Sequence, residues 1–250
     1  VVAVAKQVPK VKFIITDSYV AGNDQIFTTF PNKWQQGYFY GYMMGLISLS
    51  SMPGANPEKL IGLVFGQHYV MMDELIIPSI EAGAKAVDPG FELKTVMLGN
   101  WFDAKKAESL ALNLISLGVD CLGTIAGSGN AGVLRAAVNK GTYICLFEPS
   151  GFDKAPGTVV GCVGVNYEDI VQGDLEELLE GTIPWGKPRV VGAEKGYITV
   201  PLKASGWVRN VPEDARVKFE KLYNDVINGT VVMTVPQAVL DKINAAAMGQ

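Results

Sequence analysis

Gly127-Ser128-Gly129-Asn130-Ala131-Gly132 is a literal G-x-G-x-x-G that follows a strand-like run and opens a helical pattern. Glu148 closes the next strand-like run about 20 residues on, the spacing of a dinucleotide fingerprint. Glycines there let backbone approach a pyrophosphate, and the carboxylate takes ribose hydroxyls. Against NAD, the turn comes after two earlier β-α units instead of in the first, and no basic or histidine side chain stands nearby for hydride transfer. The plainer alternative is a glycine-rich turn through which a helix amino terminus meets any polar ligand. Asp17 ends Phe13-Ile14-Ile15-Thr16, the carboxyl edge where open α/β sheets hold ligands. Its carboxylate there accepts hydrogen bonds from an exocyclic amine or ring N–H, or serves as a turn residue. Trp101 and Phe102 follow a strand-like run, at the same kind of edge, where an aromatic ring stacks on a flat ligand or covers a helix start. Phe65 ends another such run, ahead of His68. His68 is the only histidine and has no G-x-S-x-G beside it, so no catalytic group is expected.

Short apolar runs must carry these edges. They lie at residues 12–16, 60–65, 93–98, 121–126, 143–147 and 159–165, with helical patterns at 34–50, 73–87, 104–117, 131–139, 167–179 and 212–228. The alternation predicts β-α-β units and a mostly parallel sheet. Asp103 suits an N-cap, and Gly118, Gly141, Gly181 and Gly229 suit helix stops. Gly37, Gly41 and Gly45, four apart, predict close packing of a helix on a sheet. Breaks at residues 50–57, at 149–157 and around 184–196 read as crossovers between two lobes, which would bury a ligand in the cleft between them.

With 250 residues, 48% of them hydrophobic and 18% charged, the chain can bury a sizeable α/β core. A net charge of −4 offers nucleic acid or anionic lipid no electrostatic footprint. Cys121, Cys145 and Cys162 are odd in number, lack C-x-x-C spacing and sit in apolar runs, so they are expected as buried thiols. A single histidine excludes a His-rich metal site, and no EF-hand-like run is present. No cofactor is expected. No apolar stretch reaches the roughly 18 residues of a membrane helix.

Taken in order, residues 4–17, 36–45, 81–85, 100–107, 118–120, 126–133 and 227–230 resemble the basic membrane protein family, substrate-binding lipoproteins of ABC importers of the purine nucleoside receptor A type. The resemblance covers most of the chain and rests on the order of the segments. It implies a type I periplasmic-binding fold, with two Rossmann-like lobes of mostly parallel strands joined by a multi-crossover hinge. Residues 1–55 and 150–188 would form one lobe, residues 58–148 and 190–250 the other. It further implies an adenosine-like purine nucleoside in the cleft and ABC permease subunits as partners. The expected place is outside the cytoplasm, with a lipid anchor as the only membrane attachment. By position, Asp17 would bind the base edge, Trp101 or Phe65 would stack, and Gly127 and Ser128 would approach by backbone. Glu148 stands where the family has an aspartate for the ribose hydroxyls, and Lys195 would reach the sugar from a hinge segment. The family's opening β-α-β segment, with its Asp-Phe-Asn motif, its signal peptide and its lipobox cysteine have no counterpart, so further residues are expected upstream. An NAD-dependent oxidoreductase, or a receptor for a free base, flavin or sugar, stands as the alternative.

Overall fold

In the computed structural model, which describes residues 1–249, α1 (Val2–Gln7) leads into β1 (Phe13–Thr16), β2 (Ile26–Pro31) and α2 (Lys33–Ser48). Next come β3 (Leu60–Phe65), α3 (Ile77–Val87), β4 (Glu92–Met97), α4 (Ala104–Ser116), β5 (Cys121–Ile125), α5 (Asn130–Lys140), β6 (Tyr143–Leu146) and β7 (Val159–Cys162). The chain continues through β8 (Gly164–Val165), α6 (Tyr167–Glu180), β9 (Arg189–Val191), β10 (Ile198–Thr199), α7 (Ser205–Asn210), α8 (Glu213–Ile227) and α9 (Gln237–Met248). A parallel sheet of order β1-β2-β9 and a larger parallel sheet of order β4-β3-β5-β6-β7 result, and β8 pairs antiparallel with β10 as a separate two-stranded sheet.

Both faces of the larger sheet are covered, as parallel strands require. On one face Phe39, Tyr40, Met43 and Met44 of α2 pack with Leu63, Phe65, Cys121 and Cys145. Tyr40 hydroxyl donates to the Cys145 carbonyl at 2.5 Å and accepts from the Thr124 N–H at 3.0 Å, which satisfies a buried phenol. On the other face Ala107, Ala111, Val133 and Ala136 from α4 and α5 meet Val64, Leu122 and Ile144. In the smaller sheet, Phe30 packs with Leu240 and Ile243 of α9. Its opposite face is tied to α6 by Thr29, whose hydroxyl donates to Asp174 at 2.8 Å.

Helix boundaries follow the expected punctuation. Asp103 caps α4 by accepting the Lys106 N–H at 3.0 Å, and α5 and α6 stop at left-handed Gly141 and Gly181. The glycines of α2 do allow a close approach, but to a helix: a Cβ on Gly41 would fall 1.8 Å from the Ile80 carbonyl oxygen in α3. The apolar run at 159–165 divides at Val163, its first part joining the larger sheet and its second pairing with β10.

The sheets correct the boundaries read from composition. The breaks at 50–57 and 149–157 are loops that begin and end on the larger sheet's side, and β7 joins the larger sheet while β9 joins the smaller. The chain passes between sheets instead at Asn32, at residues 163–166, after Val191 and again before α9, which packs on the smaller sheet within the stretch expected in the second lobe. Proline and glycine mark turns, whichever sheet the next strand joins. Asn32, by contrast, is only 5% exposed, and its N–H donates to the Val191 carbonyl, so this crossing has no linker composition.

Candidate functional site

Carboxyl ends of strands from both sheets meet around a cavity of about 250 Å³. Asp17 follows β1, Lys33 follows β2, Tyr69 follows β3, Ile125 ends β5, and Phe147 and Glu148 follow β6; all of them line it, with Gln36, Val165 and Tyr167. Open α/β sheets hold their ligands at this edge. Asp17 is also one of two described non-glycine residues with positive φ, at 63°. Aspartate tolerates that conformation better than most residues, and such outliers concentrate at functional sites.

Local structure fixes the polar wall. Asn32 caps α2 by accepting the Gln35 N–H at 3.1 Å, which sets Lys33 as the first helical residue. Asn166 caps α6 in the same way, at 3.2 Å from the Asp169 nitrogen, and sets Tyr167. Lys33 Nζ donates to Tyr167 Oη at 2.9 Å and to Gln36 Oε1 at 3.3 Å, and lies 3.2 Å from Asp17 Oδ1. Tyr167 Oη donates in turn to Asp17 Oδ2 at 2.8 Å. Burial lowers the Lys33 ammonium from its usual range, against the pull of Asp17. Burial and the Asp17 carboxylate raise the Tyr167 phenol. Burial, with smaller contributions from Asp17 and Asp73, pushes Tyr69 up to about 12, so its hydroxyl stays a donor at neutral pH. Glu148 accepts from Asn130 Nδ2 at 3.3 Å and from Lys154. A second recess, of about 330 Å³, shares Asp17, Tyr69 and Met71 with the cavity and is otherwise lined by Ser18, Phe30, Val70, Ile243 and Ala246.

Of the residues singled out in the sequence, Asp17 and Glu148 line this cavity together. Phe65 does not: it is 1% exposed, with its ring packed in the core and edge-on to His68 at 4.9 Å. Trp101, Gly127 and Ser128 gather on the rim. The indole lies against Gly66, where a Cβ would come within 2.4 Å of it, and its N–H donates to Gln67 Oε1 at 3.1 Å. Ser128 hydroxyl donates to the Trp101 carbonyl at 3.2 Å. Tyr69, which lines the cavity, lies 6.3 Å from Trp101 between ring centroids. Lys195 is exposed in the turn Ala193–Lys195 and lines neither recess. The last glycine of the G-x-G-x-x-G serves helix packing, since a Cβ on Gly132 would fall 1.9 Å from the Ala104 carbonyl oxygen in α4.

Sequence reasoning missed Lys33, Tyr69, Phe147 and Tyr167. Lys33 followed a strand too short and mixed, Ile-Phe-Thr-Thr-Phe-Pro, to stand out, yet every residue of that strand is buried. The available signal was a lone lysine opening an otherwise uncharged helix. His68 Nδ1 lies 2.7 Å from Asp73 Oδ1 on the exterior, and the three cysteines are free and buried. Among the described residues no His, Cys, Asp and Glu cluster is placed to hold a metal, and no helix is long and apolar enough to cross a membrane.

Residues 1–231 match the profile of the Bmp family, described as ABC transporter substrate-binding protein PnrA-like. A CD4+ T-cell-stimulating antigen of Listeria innocua is 23% identical over 91% of this chain, and the chain spans 65% of that relative's length. Among solved structures, an ABC transporter solute-binding protein from Aeropyrum pernix K1 is similar with a TM-score of 0.76 at 16% identity, covering 98% of this chain and 79% of its own. A transcriptional activator of the comK gene from Bacillus halodurans is similar with a TM-score of 0.71 at 18% identity, covering 92% and 74%. At such identities the solved structures establish the fold, of periplasmic-binding type, and leave the ligand to the residues of the cavity.

Proposed function

The chain belongs to the Bmp family of PnrA-like ABC transporter substrate-binding proteins, and from that membership we propose that its cleft receives a purine nucleoside of the adenosine type for delivery to an ABC permease. The family is one of binding proteins, not enzymes. The proposed setting is the outer side of the cytoplasmic membrane, with attachment through a lipid anchor.

One observation carries the ligand reading. Asp17 stands between two recesses, one bordered by Phe30, Tyr69, Met71 and Ile243, the other by Glu148 and Tyr167. A flat base against the aromatic and apolar side, with its N–H edge toward Asp17, leaves ribose hydroxyls toward Glu148. A sugar alone would leave the apolar recess unfilled, and a free base would leave the part of the cavity beside Glu148 and Tyr167 unfilled. The stacking role expected of Phe65 or Trp101 passes to Tyr69, which borders both recesses. Gly127, Ser128 and Lys195 have no part in this pose.

A thermal-shift screen against adenosine, guanosine, inosine, cytidine, adenine, ribose, riboflavin and NAD tests the reading. Binding to the folded state alone stabilises it by about 2.7 kcal/mol at a hundredfold excess over Kd. The expected result is a rise in Tm with purine nucleosides and none with ribose or NAD. A rise with NAD alone would return the glycine turn to the dinucleotide reading and remove this one.

A further inference from the structure

Lys33 is the one buried cation among the described residues, 5% exposed, and it lines the cavity. An ammonium has three N–H donors. Three oxygens surround this one: Tyr167 Oη at 2.9 Å, Asp17 Oδ1 at 3.2 Å and Gln36 Oε1 at 3.3 Å. Gln36 is itself held, its Nε2 donating to the Val163 carbonyl at 3.1 Å, so its oxygen stays turned to Lys33. Nothing of the ammonium is left over for a ligand. Asp17 is in the opposite condition. Oδ2 accepts from Tyr167 and Oδ1 lies within ion-pair distance of Lys33, yet a carboxylate has about four lone-pair sites, so acceptor capacity remains beyond these two contacts.

We propose that Lys33 is a positioning and specificity-determining residue, which holds the Asp17 carboxylate in place while its own donors are fully occupied, so that the cleft admits uncharged donor-bearing ligands and excludes anionic ones. The proposal deepens the nucleoside reading and rests on the same cavity, but it concerns charge, whichever neutral ligand is bound. An incoming phosphate or carboxylate meets Asp17 and Glu148 at the cavity wall, and the nearest cations are already paired, Lys33 with Asp17 and Lys154 with Glu148. Like charges brought together in a partly desolvated site repel strongly, and a buried cation tied to three oxygens cannot turn to a new anion without abandoning Asp17. A neutral N–H or O–H finds the remaining acceptor capacity of the Asp17 carboxylate at the cavity wall instead.

The test is calorimetric titration of three neutral and anionic pairs: adenosine and adenosine 5′-monophosphate, ribose and ribose 5-phosphate, riboflavin and flavin mononucleotide. For whichever neutral member binds, its phosphorylated partner is expected to bind at least about a hundredfold more weakly, the scale of a charged hydrogen bond gained or lost. Asp17→Asn leaves the shape and releases the Lys33 charge. The neutral ligand should then weaken while the anionic partner gains, so that the ratio collapses or inverts, an outcome that mere loss of structure would not give. Binding of ribose with rejection of its phosphate, and no adenosine binding, would remove the nucleoside reading and leave this one standing. Equal binding within a pair, or an unchanged ratio in Asp17→Asn, would overturn it. Amine acylation followed by mass spectrometry needs no ligand. Lys33 should resist acylation in the wild type and lose that protection in Tyr167→Phe, and reaction at the rate of the exposed lysines would overturn the proposal even if nothing in the panel bound.

Discussion

At the scale of the residue, two carboxylates, one at the cavity wall and one buried, illustrate opposite uses of the same group. Asp17 has Lys33 and Tyr167 on one side and the cavity on the other, and Asp17→Ala is expected to weaken binding of the proposed nucleoside by about 1.5–3 kcal/mol, roughly 10- to 150-fold. Titration calorimetry checks this, and unchanged affinity would remove Asp17 from the site. Asp120 is 3% exposed, far from the cleft, and accepts the Asn56 N–H at 2.7 Å. Burial raises its pKa from the usual carboxylate value, so between the unfolded and folded values the native state binds the extra proton. Stability from this group is therefore present at low pH and lost as pH rises through that window. Asp120→Asn keeps an oxygen for Asn56 and removes the charge. Its Tm should exceed the wild type's at pH 7, and the gap should close as the pH falls toward the unfolded carboxylate range. A gap independent of pH would show that Asp120 does not titrate in this way.

At the scale of the element, the site depends on how closely α2 sits against α3, because α2 carries Lys33 and Gln36 while α3 follows the segment bearing Tyr69 and Met71. Gly41 faces the Ile80 carbonyl, and Gly83 faces the Tyr38 carbonyl, where a Cβ would come within 2.0 Å. Backbone cannot give way as a side-chain end can. Gly41→Ala should thus cost about 1–3 kcal/mol or more by forcing the helices apart, seen as a lower midpoint in urea with little change in slope. Capping acts at the same scale. Asp103→Ala removes the acceptor for the Lys106 N–H and should cost about 1 kcal/mol, with ligand affinity unaltered because α4 lies on the far face of the larger sheet.

At the scale of the whole molecule, the cleft lies between two sheets joined by four chain crossings, an arrangement suited to hinge closure around a ligand. A saturating concentration of the proposed nucleoside ligand should reduce the radius of gyration in small-angle scattering. Binding with no change in dimensions would mean that the cleft is already closed. Much of this molecule was legible in the chain itself. Residues 60–65 give the strand as read, 104–117 give the helix to within a residue, and the order of short apolar runs and helical stretches yields a parallel α/β fold, because side-chain periodicity is a local property. Asp17 and Glu148 were legible as edge carboxylates for the same reason: a residue that ends a parallel strand lies at the ligand edge wherever the strand goes. Four things were decided only by the tertiary structure. They are the different sheets that β7 and β9 join, the crossing at Asn32, the withdrawal of Phe65 into the core and the meeting of Lys33 with Tyr167, 134 residues apart. Each depends on which distant segment supplies the neighbour, and no local spacing encodes a contact made across the gap between two sheets.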